Sequence, residues 1–141
     1  MNVILNPGQS NTKERDISLP AAVNLTGDEN LLWKIVNNNG AANFALPTAA
    51  ADQAMYVGAS GDVAGNIVAA EAPDLGENCR VIIDTACNPG DMLALSTANW
   101  GQLTKPAAGY GSGYYTFLAE EAGVAGQTAL VRRIPDRSFN L

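Results

Sequence analysis

Apolar and polar residues alternate along this chain in short runs, and turn residues separate the runs. From Leu31 the stretch LLWKIVNNNG sets Leu31, Trp33 and Ile35 on one face and Leu32, Lys34 and Val36 on the other, then runs into an Asn-Gly turn at Asn39-Gly40. CRVIIDT repeats the alternation, with Cys79, Val81 and Ile83 on one side and Arg80, Ile82 and Asp84 on the other. Leu93, Leu95 and Thr97 alternate up to Asn99-Trp100-Gly101, and Leu103 and Lys105 continue beyond it. The 14 glycines and 7 prolines fall mostly between such runs, so the pattern predicts a mainly β fold, a small sandwich or barrel. One segment departs from it: residues 47–55 are Ala-rich, with Pro47 placed for a first helical turn, and form the candidate helix. Residues 1–19 are polar and irregular, with a mixed charge cluster at Lys13-Glu14-Arg15-Asp16, and read as an extended N-terminal arm ahead of a single β-rich domain over residues 20–141.

A phrase occurs twice. Gly27-Asp28 opens a strand that ends at Gly40, followed by Pro47, Tyr56 and Val63-Ala64-Gly65; Gly90-Asp91 opens one that ends at Gly101, followed by Pro106, Tyr115 and Val124-Ala125-Gly126. Two readings fit: coincidence among common small residues, or a duplication that makes the domain two similar β modules packed face to face.

Composition narrows the function classes. A chain of 141 residues that is 47% hydrophobic and only 16% charged has the make-up of one globular domain. Its 14 acids against 8 bases, a net charge of -6, disfavour partners bound through phosphates, so neither nucleic acid nor an anionic membrane is expected. The start, MNVILNPGQSN, lacks the positive residue and long apolar run of a signal peptide, and no window offers the roughly 20 apolar residues of a membrane span; synthesis in the cytoplasm is the expectation. Cys79 and Cys87 read as two reduced thiols, because the chain has no histidine with which to build a mixed zinc site.

The same absence removes the commonest general acid and base, and no Gly-x-Ser-x-Gly elbow occurs. Gly109-Tyr110-Gly111-Ser112-Gly113 is not followed by Lys-Ser or Lys-Thr and reads as a surface loop rather than a phosphate cradle. Glu120 and Glu121 are adjacent, so on a strand they would point to opposite faces and read as solvated charges. Asp84 and Asp91 flank a CNPG turn whose spacing matches no defined calcium loop. The expectation is a protein that is not an enzyme and carries no cofactor or metal. Trp33 belongs to an apolar face and reads as core. Trp100 stands at a hairpin tip, where a large ring needs a partner, and is the candidate intersubunit contact. Val3, Ile4 and Leu5 are a strand-forming run isolated by polar sequence and form a candidate contact segment, with Phe139 and Leu141 near the other end of the sequence as further contacts.

The second half carries a resemblance. Gly90-Asp91-Met92-Leu93, the Asn-Trp-Gly-Gln-Leu turn, and YYTFLAEEAGVAGQTALVRRI at residues 114–134 resemble the capsid decoration, or cement, proteins of tailed bacteriophages. In that family a Gly-Asp strand, a Gly-x-Leu hairpin, an Ala-Glu-Ala phrase and an AGxxxxVR final strand recur in this order. The resemblance implies a β-tulip-like fold, assembly as homotrimers on the outer surface of an icosahedral head, and the major capsid protein as partner. This chain's longer N-terminal half departs from the compact members of the family. A virion protein that bridges capsid subunits is the reading adopted, with Val3, Ile4 and Leu5 as candidate capsid anchor and Trp100, Phe139 and Leu141 as further candidate capsid or subunit contacts; a carbohydrate-binding or adhesive β-sandwich module, or another head or tail subunit, are the alternatives.

Overall fold

A computed structural model describes residues 16–141, and among the described residues every regular element is a strand. In chain order these are β1 (Asp16–Pro20), β2 (Leu32–Asn38), β3 (Ala41–Ala45), β4 (Tyr56–Ser60), β5 (Ile67–Glu71), β6 (Asn78–Ile82), β7 (Met92–Leu95), β8 (Leu103–Thr104), β9 (Ser112–Ala119) and β10 (Thr128–Asn140). They form two five-stranded antiparallel sheets, ordered β1-β5-β4-β2-β3 and β6-β10-β9-β7-β8. Adding five to each label of the first order gives the second, so the chain folds the same topology twice.

The recurring phrase is a consequence of that topology. In each module a turn from Val63 or Val124 closes with Asn66 N–H on Val63 O (3.2 Å) or Gln127 N–H on Val124 O (3.1 Å). Its third residue, Gly65 or Gly126, sits at φ near 90° or 85°, a region glycine enters without steric cost. The same glycine N–H then bonds back to the residue after the module's first strand, Ala21 O (2.8 Å) or Ile83 O (2.7 Å). Those two residues also bridge the third strand in parallel fashion, Ala21 with Phe44 and Ile83 with Leu103, so each sheet curls until its two ends meet. The hydrogen bonds correct one pairing read from the sequence. The counterpart of Gly90, whose N–H bonds Ala119 O, is Asn30, whose N–H bonds Gly58 O; both sit at positive φ, and Gly27 lies three residues upstream of the match.

Each module has its own core. Trp33, Phe44, Leu25, Val68, Ala21 and Ala70 fill the first; Leu93, Leu95, Leu103, Phe117, Val81, Ile83 and Val131 dominate the second. At roughly 1.5–3 kcal/mol per fully buried large side chain, these clusters are the main favourable contribution to folding. Trp33 is fully buried, as the alternation predicts, and the Asn39-Gly40 hairpin forms with both residues at positive φ. Ile35, expected beside Trp33, is instead 42% exposed, because the β2–β3 hairpin runs out past the core.

Leu32 is buried on the opposite face of β2 from Trp33. With Ala54 and Val57 it joins the second module's cluster, so the two cores share a wall. Two backbone bonds stitch this junction, Leu32 N–H to Gly101 O (2.8 Å) and Ile82 N–H to Asn30 O (2.9 Å). The candidate helix at residues 47–55 does not form. Asp52 accepts from the N–H groups of Thr48 (2.7 Å) and Ala49 (3.0 Å) and from Lys34 Nζ (2.8 Å), which fixes a turn where a helix would need those positions to wind. Residues 16–19, assigned to the arm by sequence, are strand β1 paired with β5; residues 1–15, with the candidate anchor Val3, Ile4 and Leu5, lie outside the described residues.

Candidate interaction surfaces

Trp100 is not a free tip. The β7–β8 hairpin folds back so that its ring is half-buried against the second core, and Gly101 beside it lies under the first module. A Cβ on Gly101 would come within 3.0 Å of Leu31 Cβ and 3.2 Å of Leu32 O. The loop that sets this geometry is organised by Ser96, which is 1% exposed: its Oγ accepts from the N–H groups of Ala98 (3.2 Å) and Asn99 (2.9 Å) and donates to the Asp84 carboxylate in a very short contact. The other Asp84 oxygen is buried with no partner among the described residues, so Ser96 is what offsets the desolvation of that anion. The β7–β8 hairpin therefore serves as a clasp between modules through Gly101, with Trp100 packed beside it.

Phe139 sits in an aromatic corner where β9 and β10 end. Its ring lies 4.4 Å from that of Tyr115 and 5.2 Å from that of Tyr110, and Tyr110 Oη donates to Leu95 O (2.5 Å). Burial, with the nearby Asp84 anion, pushes the Tyr110 phenol above its usual range. The glycine-rich stretch 109–113 makes this corner possible: a Cβ on Gly113 would meet Tyr110 and Phe139 rings, and Gly111 exchanges both backbone bonds with Leu141 (3.0 and 2.9 Å). Leu141 remains 46% exposed and Tyr114 39% exposed, so this corner leaves apolar surface open to solvent.

The carboxylates considered for chemistry are held apart by different partners. Glu120 pairs with Arg132 (2.6 Å); Glu121 accepts from Leu130 N–H (3.0 Å) and pairs with Arg80 (2.8 Å), and those contacts hold its carboxyl below the usual range. They are ion-paired, not merely solvated. Asp91 accepts from Asn88 N–H (2.8 Å) and meets Lys105 at 3.1 Å, while Asp84 is committed to Ser96. Cys79 and Cys87 are not joined to each other; Cys79 is half-buried, and burial pushes the Cys87 thiol up.

Two features escaped the sequence reading. Arg133, in the middle of β10, is 8% exposed and donates to Thr116 O (3.1 Å) and Asp136 (3.0 Å) while lying over the Phe117 ring, filling the irregularity that Pro135 introduces between Arg133 and Arg137. Pro135 within a long strand pattern was the available signal. The second is a groove of about 390 Å³ between the modules, lined by Glu29, Val57, Glu71, Asn78, Cys79 and Arg80 among others. Its walls come from opposite modules, and no local pattern joins them.

Geometry thus defines a class: a duplicated, two-module all-β protein with packed cores and surfaces suited to contact. No protein-family model matches the chain, and no curated protein matches it. Among solved structures, it is similar to the crystal structure of the N base of head fiber gp8.5 in bacteriophage phi29. The TM-score is 0.64 at 14% identity, over 84% of this chain and 92% of that one. The two share a fold.

Proposed function

We propose that this protein is a structural component of a bacteriophage head, a decoration protein that binds the outer capsid surface and bridges major capsid subunits. The observation that carries the reading is the fold shared with a phage head fiber base across nearly the whole of both chains. It is supported by the cement-protein phrases, which fall on β7, β8, β9 and β10 and their turns. The mechanism is adhesive. A homotrimer holds several copies of one contact face, and weak contacts to neighbouring capsid subunits add through multivalency. Residues 1–15, with Val3, Ile4 and Leu5, and the corner that carries Phe139 and Leu141 are assigned to that face; the hairpin that carries Trp100 contributes indirectly, by joining the modules through Gly101.

The test is to mix purified protein with intact heads of the phage that encodes it and sediment them. The expected result is saturable binding in a fixed ratio to the capsid protein; absence of binding to intact heads contradicts the proposal. A second reading, a fiber base, rests on the same neighbour. It predicts that binding anchors a projecting fiber and leaves head stability unchanged, whereas a cement protein raises it.

A further inference from the structure

Strand β6 lies at the edge of its sheet, and that edge forms one wall of the groove between the modules. The bonds Ile83 N–H to Gln127 O (3.1 Å) and Arg133 N–H to Glu77 O (2.8 Å) show that the backbone groups of the odd-numbered residues along β6 face β10. Those of the even-numbered ones turn the other way. Ile82 uses its outward N–H on Asn30 O (2.9 Å), which closes the groove at that end. The backbone groups of Asn78 and Arg80 turn into the groove and have no backbone partner among the described residues. Strand β1, the counterpart of β6, has Pro20 where β6 has Ile82, and a proline without N–H blunts an edge. The β6 edge has no such protection.

The opposite wall is acidic and lacks cations. Glu29 is held there by Gly61 N–H (2.8 Å), and Glu71 by its place in β5 beside Val57 of β4. The described ion pairs engage Asp52, Asp91, Glu120, Glu121 and Asp136, so neither groove carboxylate faces a cation among the described residues. Arg80, the base in the lining, is committed to Glu121 (2.8 Å). Main-chain donors and acceptors on one wall and two carboxylates without a cation on the other are complementary to an extended peptide that brings a positive side chain. An acidic segment would meet like charge. The volume, about 390 Å³, lies within the ~300–1,000 Å³ of ligand clefts, and the open edge runs only from Asn78 to Arg80, so a short segment fills it.

We propose that this groove binds a short extended segment of a partner protein, one that carries a lysine or arginine. The segment adds to the edge of β6 through main-chain bonds to Asn78 and Arg80, and its positive side chain is set against Glu29 and Glu71. Backbone pairing supplies the contact, and the carboxylates select the charge. The inference concerns a site complete within the described residues, and it stands whether or not the capsid reading does.

The probe is an end-blocked pentapeptide of alternating valine and lysine, titrated into the millimolar range and followed by amide hydrogen exchange on the full-length protein. The Arg80 amide is expected to exchange freely without peptide and to slow about tenfold or more when peptide is bound, while Val81, paired with β10, is unchanged. Glu71→Gln should weaken binding by about fivefold, the upper end for a partly exposed ion pair, and the same peptide with glutamate for lysine should not bind. No slowing of Arg80 by the lysine peptide overturns the proposal, as does equal binding of the glutamate peptide. Protection of Arg80 in the free protein overturns it too: if protection fades on dilution, a second copy takes the edge, and if it does not, the chain covers its own.

Discussion

Gly58 and Trp33 act as one unit. A Cβ on Gly58 would collide with the Trp33 indole, whose Nε1 donates to Asp28 O (3.1 Å), so the ring cannot retreat without losing that bond. The equivalent pair in the second module is Ala119 with Leu93, a smaller side chain over a larger neighbour. Gly58→Ala is accordingly expected to lower stability by about 1–3 kcal/mol in denaturant unfolding. Combining it with Trp33→Leu, which reproduces the second module's pair, should cost less than the sum of the two single changes. Charge gives a second prediction at this scale. Burial, then Glu29, raises the Asp28 carboxyl, so its folded form prefers the proton and its ionisation costs stability once pH rises through that raised value. Asp28→Asn should therefore raise the melting temperature at pH 7, with the gain shrinking as pH falls below the ordinary carboxylate range. Asp52 has the opposite sign: burial alone would raise it, but Lys34 and the Thr48 and Ala49 N–H groups outweigh that and lower it. Its contribution is present above the unfolded value and is lost as pH drops through the folded one, so Asp52→Asn should narrow the acid-side stability difference.

At the scale of elements, the β7–β8 hairpin is the piece on which the two-module arrangement depends. Ser96→Ala removes the Asp84 partner and the acceptor for two loop N–H groups together, leaving the half-buried Asp84 carboxylate without it. A loss of about 1–3 kcal/mol is expected, with a shift in Trp100 fluorescence as the clasp loosens. The strands themselves were largely legible in sequence. Alternation in Leu31 to Val36 and Cys79 to Asp84 marks β2 and β6, and the repeated Val-Ala-Gly marks an obligatory turn, because a left-handed glycine must sit there. Residues 47–55 were misread because alanine content speaks for a helix, while the Asp52 carboxylate, held by a lysine from another strand, speaks for a turn. The acid pairings of Glu120 with Arg132 and Glu121 with Arg80 were likewise out of reach, since register places those arginines. The groove is invisible for the same reason, as Glu71 and Arg80 meet only when the modules pack. The arm boundary shifted because the short run Ile17-Ser18-Leu19 gains strand character only against β5.

For the whole molecule, duplication accounts for the size and the surface. Two small curled sheets, each too small to carry much core alone, share Leu32, Ala54 and Val57 at their junction. In the proposed role such a body would hold its contact residues on a fixed frame. As a homotrimer it would bury on the order of 800 Å² per subunit at a standard interface. Light scattering after size exclusion checks that directly, with a trimer mass expected and a monomer mass both free and on particles against it. The most direct test of the capsid role is a head-stability measurement: heads lacking this protein are heated with and without it added back, and genome release is followed. The account predicts that added protein binds the outer surface and raises the release temperature; binding that leaves the release temperature unchanged, or no binding, contradicts it.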